Sequence, residues 1–420
     1  MSSIESAKPS RQVLRELGPG LITGAADDDP SGIATYSQAG AQFGLNMLWT
    51  VVLTYPLMVA IQSLSARIGR VTGHGLSTNL AKVFPRWSVM LLVALLFVAN
   101  AINIGADLAA MGAAARLVTG WNQHVLTIGF AVLTLLLLVM VPYHRYVKLL
   151  KWLTMALFAY VAVVFTVKID WAEVFARTLS PHLPETGWIV VVVAVFGTTI
   201  SPYLFFWQSS EEVEDEEAKG EAPLIEDAHD APEELRRIRL DTLVGMGFSN
   251  LIAFFIILTT AVTLHVHGVT DIQTSEQAAE ALRPVAGELA FFLFAMGVVG
   301  TGLLAVPVLA GSVGYALSEL RGWRSGLEHK PTEAKAFYAV IATAVIVGLI
   351  VDYSGLDPIQ ALFWSAVING VISVPIMAAM MVVATRRDQM GAFIATPLQR
   401  VLGWAATAVM ALAVGGMFLA

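Results

Sequence analysis

Three consecutive carboxylates stand in an apolar stretch near the start of the chain. Asp27, Asp28 and Asp29 belong to residues 26–32, ADDDPSG, between the flanks GPGLITGA and IATYSQAGAQFG. An aspartate at bilayer depth costs about 2.5–3.5 kcal/mol on insertion scales, so three of them need partners. They could cap a half-helix, face water, or coordinate a cation. We expect Asp29, next to the proline, to face a site, and one of the other two to lie in an aqueous vestibule.

The composition predicts an all-α polytopic membrane protein. The 420 residues have a mean hydropathy of +0.70 and only 14% charged residues, against about 25% in soluble domains. Apolar runs of membrane-spanning length recur along the chain. The first fifteen residues lack an apolar core followed by a small-residue cleavage site, so no removable signal peptide is expected. The absence of cysteine excludes disulfides, thiolate metal sites and catalytic thiols.

Hydropathy and charge together predict eleven spans in a defined orientation. The expected spans are 18–43, 46–69, 88–117, 123–142, 149–168, 187–209, 241–264, 285–317, 334–351, 358–383 and 397–419. With the N-terminal segment 1–17 inside, all but four of the 25 Lys and Arg residues are cytoplasmic, as the positive-inside rule requires. The four exceptions are Arg116, Lys168, Arg177 and Arg283. The chain is therefore expected in the cell (inner) membrane, with a cytoplasmic N-terminus and an external C-terminus.

An acidic segment separates spans six and seven. Residues 211–234 carry twelve acidic residues against one lysine, within a predicted cytoplasmic loop 211–239. Such a segment cannot bury enough apolar area to fold alone, which favours a solvated, partly disordered connector. The alternative is that it concentrates cations at the inner mouth.

Proline interrupts two spans, the first and the sixth. Pro30 follows the aspartates, and Pro202 stands in GTTISPY; Gly32 and Gly197 loosen the chain nearby. Each break opens a set of five helices, and an odd number inverts the second set relative to the first. We predict inverted repeats at 18–168 and 187–383, plus an eleventh helix at 397–419. Broken helices of this kind meet at the bilayer midplane and leave carbonyls free for a cation.

The residues around both breaks resemble the Nramp family of divalent-metal transporters. The resemblance is carried by residues 18–76, GPGLITGAADDDPSGIATYSQAGAQFG and onward to RIGRVTGHGL, and by FGTTISPYLFFWQSS in span six. It covers roughly residues 15–400 and is most specific in the first three helices and the sixth. It implies a LeuT-type fold, with alternating access around a metal site between helices one and six.

Several ligand positions depart from the pattern of that family. The first-helix motif Asp-Pro-Gly-Asn reads DPSG from Asp29, which keeps the aspartate and loses the asparagine. In the sixth helix, the family's methionine and histidine are replaced by Ser201 and Tyr203. In the third helix, Asp-Leu-Ala-Glu reads DLAA, which keeps Asp107 and places Ala110 where the family has a glutamate linked to proton movement.

These replacements favour a hard, hydrated cation. A thioether suits softer transition metals, whereas carboxylate, carbonyl, hydroxyl and water suit magnesium, calcium and manganese. Magnesium also keeps several waters, which fits a site with fewer protein ligands. The chain therefore looks most like the magnesium-transporting branch related to Nramp. The expected metal ligands are Asp29, the Ser201 hydroxyl and the carbonyls of Ala26 and Thr198.

Further residues are expected near the ion or on its path. The resemblance places Asn369 of helix ten near the metal and links Asp107 to a possible proton relay. Asn103, four residues before Asp107 on roughly the same helical face, could line the ion path, although a hydrogen-bond link between helices is the commoner role for such an asparagine. His265 and His267 are expected in an external loop. The residues expected to line the site or form the breaks are Asp28, Pro30, Ser31, Gly32, Pro202, Tyr203 and Asn369.

The sequence predicts a secondary transporter that imports Mg²⁺, and also Mn²⁺, with weak or no proton coupling. Tyr203 and Ala110 cannot titrate near neutral pH as a relay requires, although a buried Asp107 could. The alternatives are a proton-coupled Mn²⁺/Fe²⁺ importer, an organic-solute symporter, a metal-sensing receptor and an intramembrane aspartyl protease, whose Gly-x-Gly-Asp element the chain lacks. We expect no cofactor, no catalytic residue and no nucleic-acid partner; the ion and the lipid bilayer are the expected partners.

Overall fold

The computed structural model describes residues 19–141, 155–180, 182, 187–352 and 357–419. Within these ranges the chain is helical and contains no β-strand. The predicted N-terminal segment 1–17 and residues 149–154 of predicted span five lie outside the described residues. The helices are α1 (Pro19–Asp27), α2 (Pro30–Phe43), α3 (Leu48–Thr72), α4 (Leu76–Val83), α5 (Arg86–Thr119), α6 (Gln123–Met140), α7 (Phe158–Val163), α8 (Trp171–Leu179), α9 (Trp188–Thr199), α10 (Pro202–Lys219), α11 (Ala231–Thr263), α12 (Ser275–Glu280), α13 (Arg283–Ala286), α14 (Ala290–Arg321), α15 (Lys335–Asp352), α16 (Pro358–Thr385), α17 (Arg387–Met390) and α18 (Pro397–Leu419).

Both predicted breaks are present. The chain leaves helical geometry between α1 and α2 and again between α9 and α10. Each second half begins at a proline, and the residue before it is extended: Asp29 has φ −69° and ψ 169°, and Ser201 has φ −79° and ψ 131°. Proline tolerates the first helical position, because its missing N–H would be unpaired there, and it pushes the preceding residue out of the helical region. The two prolines therefore set both breaks.

Eight stretches of the described residues are long and apolar enough to cross a membrane. The sixth predicted span, α9 with α10, is the most enclosed: 89% of its most apolar 18 residues are buried, against 22% in α6 and 28% in α18. The broken helix therefore lies at the centre of the bundle, and the other two lie at its periphery. The shorter helix α15 is also apolar.

The acidic segment differs from the predicted connector. Helix α10 continues to Lys219 and α11 begins at Ala231, so only residues 220–230 join them. Glu212 and Glu216 are buried, and they form ion pairs with Arg237 and Arg70 respectively. The charge run stays helical because arginines on two neighbouring helices neutralise one of its faces. The composition of the segment predicted a disordered connector because it shows the acidic residues but not the arginines, elsewhere in the chain, that pair with them.

The packing brings the two breaks together. Helix α1 packs against α10, and α2 packs against α9, so each half of the first broken helix touches a half of the other. Helix α1 also packs against α11, α9 against α16, and α10 against α3. Close approach explains Gly197 near the second break: a Cβ there would lie 2.0 Å from the Ala366 carbonyl oxygen and 2.5 Å from the Gly370 nitrogen. Besides loosening the chain, this glycine therefore lets α9 touch the backbone of α16.

Candidate functional site

Asp29 is the N-cap of α2 and is 1% exposed. Its Oδ1 accepts hydrogen bonds from the backbone N–H of Gly32 and the hydroxyl of Ser31, both at 2.7 Å. Its Oδ2 accepts one from Asn103 Nδ2 on α5, at 3.1 Å. The positive end of α2 adds to these bonds, since anions are stabilised at a helix N-terminus. The carboxylate is therefore held in one orientation at the first break.

Helices α5 and α16 add polar groups beside this carboxylate. Ser365 donates to Asn103 Oδ1 at 2.5 Å. Both oxygens of Asp107 and both polar atoms of the Asn369 side chain are buried with no hydrogen-bond partner of ordinary geometry among the described residues. The backbone N–H of Ser31 lies beside Asp107, and the charge of Asp29 acts on it. Buried polar groups are normally paired, so Asp107 and Asn369 are candidates for contact with a ligand.

The carbonyls that the sequence predicted to be free carry hydrogen bonds. The Ser201 hydroxyl contacts the carbonyl oxygens of Gly197 at 2.7 Å and Thr198 at 2.8 Å. The Tyr203 hydroxyl donates to the Ala26 carbonyl oxygen at 3.2 Å. A break releases carbonyls from the helix ladder, and buried carbonyls need partners, which these hydroxyls supply. Each carbonyl oxygen has a second lone pair, so it could also coordinate a cation while it keeps its hydroxyl partner.

The two breaks are in direct contact. Tyr36 on α2 and Thr199 at the end of α9 form a hydroxyl–hydroxyl bond of 3.0 Å. A Cβ on Gly32 would lie 3.4 Å from Thr198 Oγ1. The half-helices that begin at Pro30 and Pro202 therefore start from one shared region, where Gly32 of the first break lies beside Thr198 of the second.

Asp27 and Asp28 do not lie in an aqueous vestibule, contrary to expectation for one of them. They are 0% and 2% exposed. Ser249 on α11 contacts both, at 2.6 Å from Asp27 Oδ2 and 3.0 Å from Asp28 Oδ1. The sequence reasoning missed Ser249 and Ser365; the polar pair SN within the apolar GFSNLIAFF was the available signal for the first. Packing of α1 onto α11 encloses both carboxylates.

Four buried aspartates thus surround the first break without a basic partner. None of Asp27, Asp28, Asp29 and Asp107 forms an ion pair within the described part of the chain. In the same ranges, no group of three or more His, Asp or Glu side chains is arranged to hold a metal ion. A cation here would therefore need hydroxyl, amide, carbonyl or water ligands as well as carboxylates. This is oxygen-rich chemistry suited to hard cations.

A family model described as "Natural resistance-associated macrophage protein-like" matches residues 20–420. The chain belongs to the Nramp family. It is 26% identical over 415 residues to the divalent metal cation transporter MntH of Yersinia pestis, which covers 95% of this chain and 93% of that protein. Membership confirms the resemblance seen in the two broken spans.

Solved structures support the fold of this Nramp chain. The Eremococcus coleocola manganese transporter, in complex with an aromatic bis-isothiourea substituted compound, matches with a TM-score of 0.76 at 17% identity, covering 98% of this chain and 88% of that one. Mhp1, a nucleobase-cation-symport-1 family transporter, matches with a TM-score of 0.54 at 13% identity, covering 96% and 92%. The all-helical LeuT-type fold with helices one and six broken is confirmed.

The histidine pair of the Nramp chain lies apart from the breaks. His265 Nδ1 is 2.8 Å from the carbonyl oxygen of Ala41, and His267 Nδ1 is 2.5 Å from that of Thr263. Both histidines lie in the turn that follows α11. Each is therefore bonded to a nearby carbonyl and takes no part in the cluster of aspartates.

Proposed function

We propose that this chain imports divalent metal cations, preferentially hydrated Mg²⁺ and also Mn²⁺, by alternating access around the two breaks. As a member of the Nramp family it is a multi-pass divalent-metal transporter, and not an enzyme. The preference for magnesium and the weak coupling to protons are the finer part of the proposal.

The observation that carries the proposal is the group of four buried aspartates without an ion pair. Breaking or omitting the partner of a buried charge costs several kcal/mol, so unpaired carboxylates inside a membrane protein mark an ion pathway. A divalent cation supplies the missing positive charge. Asp29 is the proposed principal ligand, because its position is fixed by three donors at the junction of the breaks.

The donor atoms around Asp29 favour magnesium over softer metals. Ser201, the carbonyls of Ala26 and Thr198, and the Asn369 amide offer oxygen. Tyr203, where the family pattern has a histidine, is held to the Ala26 carbonyl. Hard cations prefer such ligands, and magnesium retains waters that can bridge to groups such as Asp107.

The same residues support weak proton coupling. Ala110, one turn beyond Asp107 on α5, is buried and has no titratable group. Uptake would then be driven by the membrane potential, at about 2.3 kcal/mol per elementary charge per 100 mV. A divalent ion gains about twice this free energy.

Proteoliposomes provide the test. Mg²⁺ and Mn²⁺ uptake are compared under an imposed potential, with a pH dye inside, for the native chain and Asp29→Asn. Asp388→Asn is the matched control, because Asp388 is exposed and pairs only with Arg386 among the described residues. Magnesium flux that requires Asp29, survives Asp388→Asn and leaves the dye unchanged is expected. Manganese flux with acidification and no magnesium uptake would overturn the proposal.

A proton-coupled Mn²⁺/Fe²⁺ importer is the second candidate. The unpartnered carboxylate of Asp107 beside Asp29 favours it, because a buried carboxyl can carry a proton. In that case the native chain acidifies the proteoliposome interior during metal uptake, and Asp107→Asn abolishes this acidification. Under the magnesium proposal, Asp107→Asn changes the affinity for the ion. The internal pH then stays constant during uptake by the native chain and by the variant.

A further inference from the structure

We propose that a groove between α3, α11 and α18 binds one anionic phospholipid, with its phosphate against three arginines. The groove has a volume of about 490 Å³. Its walls are largely apolar, and arginines lie at one end. The lining residues that matter here are Val59, Leu243, Leu402, Arg67, Arg236 and Arg239.

The three arginines carry charge that the described protein does not neutralise. Arg67, Arg236 and Arg239 form no ion pair within the described residues. Their neighbours on the same helices behave differently, because Arg70 and Arg237 are paired with acids of α10, α11 and the connecting loop. The protein thus neutralises the arginines that face its interior and leaves three positive charges around the groove.

Arg67 is held in place without being neutralised. Its Nε donates to the carbonyl oxygen of Phe393 at 2.9 Å, and its Nη2 to that of Ile394 at 3.4 Å. Carbonyls orient a guanidinium but leave its full charge for an anion. Arg236 and Arg239 are exposed beside it, on α11. A guanidinium cluster of this kind suits a phosphate, which it can bind through paired N–H groups.

The length of the groove fits one leaflet of a bilayer. On α3 it runs from Tyr55 to Arg67, twelve residues, which is about 18 Å along a helix. Half of the hydrocarbon core is about 15 Å. All three helices are long and apolar enough to span a membrane. The apolar end would therefore lie at acyl-chain depth while the arginines lie at headgroup depth.

The apolar walls commit the site to a lipid and not to free phosphate. Leu398 on α18 is 63% exposed but adjoins Gln399, which Arg67 contacts, so it belongs to the arginine end. The apolar end is lined by Tyr55, Val59 and Leu243. Basic pockets between spanning helices bind anionic headgroups, and the positive-inside pattern predicts this end to be cytoplasmic. One anionic phospholipid would then pair its phosphate with the arginines and its acyl chains with the apolar walls of the groove.

Native mass spectrometry of the full chain, titrated with phosphatidylglycerol or phosphatidylcholine, tests the proposal. Arg236→Gln with Arg239→Gln should weaken phosphatidylglycerol binding about 25-fold, since each surface arginine contributes about fivefold. The matched control is Arg321→Gln with Arg324→Gln, two exposed arginines outside the groove, which should change binding less than twofold. Arg236→Lys with Arg239→Lys keeps the charge but loses the paired N–H groups of the guanidinium, so it should recover only part of the affinity.

Three outcomes would overturn the proposal. Equal loss in the groove and control variants would mean diffuse electrostatic attraction. Equal binding of phosphatidylcholine would remove the role of headgroup charge. Full competition by glycerol phosphate, which lacks acyl chains, would make the groove a site for a free phosphate compound.

Discussion

At the scale of single residues, the environment of Asp29 separates a positioned ligand from a structural carboxylate. A simple N-cap needs only the N–H groups of its own helix. Asp29 also accepts a hydrogen bond from Asn103, which in turn accepts one from Ser365 on a third helix. This chain of contacts ties the carboxylate to two helices outside the broken one. Its orientation therefore depends on how α5 and α16 are placed.

Replacing Asn103 tests this positioning. Asn103→Ala removes the 3.1 Å bond to Asp29, and the metal concentration for half-maximal uptake should rise about tenfold, because hydrogen bonds to charged groups contribute about 1.5–3 kcal/mol. Asn100→Ala is the control on the same helix, since Asn100 donates to the Leu309 carbonyl and Ser312. It should lower stability by about 1 kcal/mol and leave the uptake constant unchanged. Equal effects of the two variants on uptake would show that Asn103 is only a link between helices.

At the scale of elements, Arg70 joins three parts of the chain at the end of the bundle where α10 finishes. Its guanidinium contacts Glu216 of α10 at 2.9 Å, Glu221 of the connecting loop at 2.8 Å and Glu234 of α11 at 3.2 Å. It also donates to the carbonyl of Ala222. Arg70 and Glu216 are both buried, so this pair is screened little, whereas Glu221 is 40% exposed and its pair is screened more. The second half of the broken sixth helix is thereby attached to α3 and α11.

Removal of this arginine should be costly. Arg70→Gln leaves the buried Glu216 without its cation, and losing one partner of a buried pair costs about 3–5 kcal/mol. Thermal unfolding followed by tryptophan fluorescence would measure the loss. Arg386→Gln is the control, because its pair with Asp388 is exposed and should contribute less than about 1 kcal/mol. Equal shifts in the two variants would contradict a structural role for the buried cluster.

The contact of α9 with α16 gives a second prediction for an element. Gly197→Ala places a methyl group 2.0 Å from the Ala366 carbonyl oxygen, so one backbone must move. We expect destabilisation of about 1–3 kcal/mol and reduced ion flux. Gly129→Ala in α6 has no atom within 4 Å of the new methyl and should be neutral or stabilising by up to about 1 kcal/mol. Normal flux in Gly197→Ala would show that α9 can move away from α16 without affecting the site.

The sequence predicted those features that depend on local chemistry. Pro30 and Pro202 break their helices through local backbone chemistry, whatever packs around them. The length of each apolar run predicts a membrane span. The sequence does not show which residues far apart in the chain come into contact. Ser249 lies 222 residues from Asp27, and Arg70 lies 146 residues from Glu216. For this reason the burial of all three aspartates and the helical start of the acidic segment emerged only from the packing.

At the scale of the whole molecule, orientation in the membrane decides which end of the ion path faces the cytoplasm. The charge pattern predicts that the loop 220–230 and the arginine groove are cytoplasmic, and that the turn after α11 is external. The groove and the Arg70 contacts lie at the same end, because Arg67 and Arg70 are one turn apart on α3, and Arg236 and Glu234 are neighbours on α11. One experiment on orientation therefore locates the lipid groove and the inner end of the ion path together.

Because the chain has no cysteine, single introduced thiols can report this orientation. Glu226→Cys lies in the exposed loop between α10 and α11, and Val266→Cys replaces a side chain that is 71% exposed in the turn after α11. In intact cells a membrane-impermeant maleimide should label Val266→Cys and not Glu226→Cys. Both should react after permeabilisation, which serves as the control for accessibility. The reverse pattern would invert the topology, place the arginine groove in the outer leaflet, and put the Arg70 contacts on the external side of the membrane.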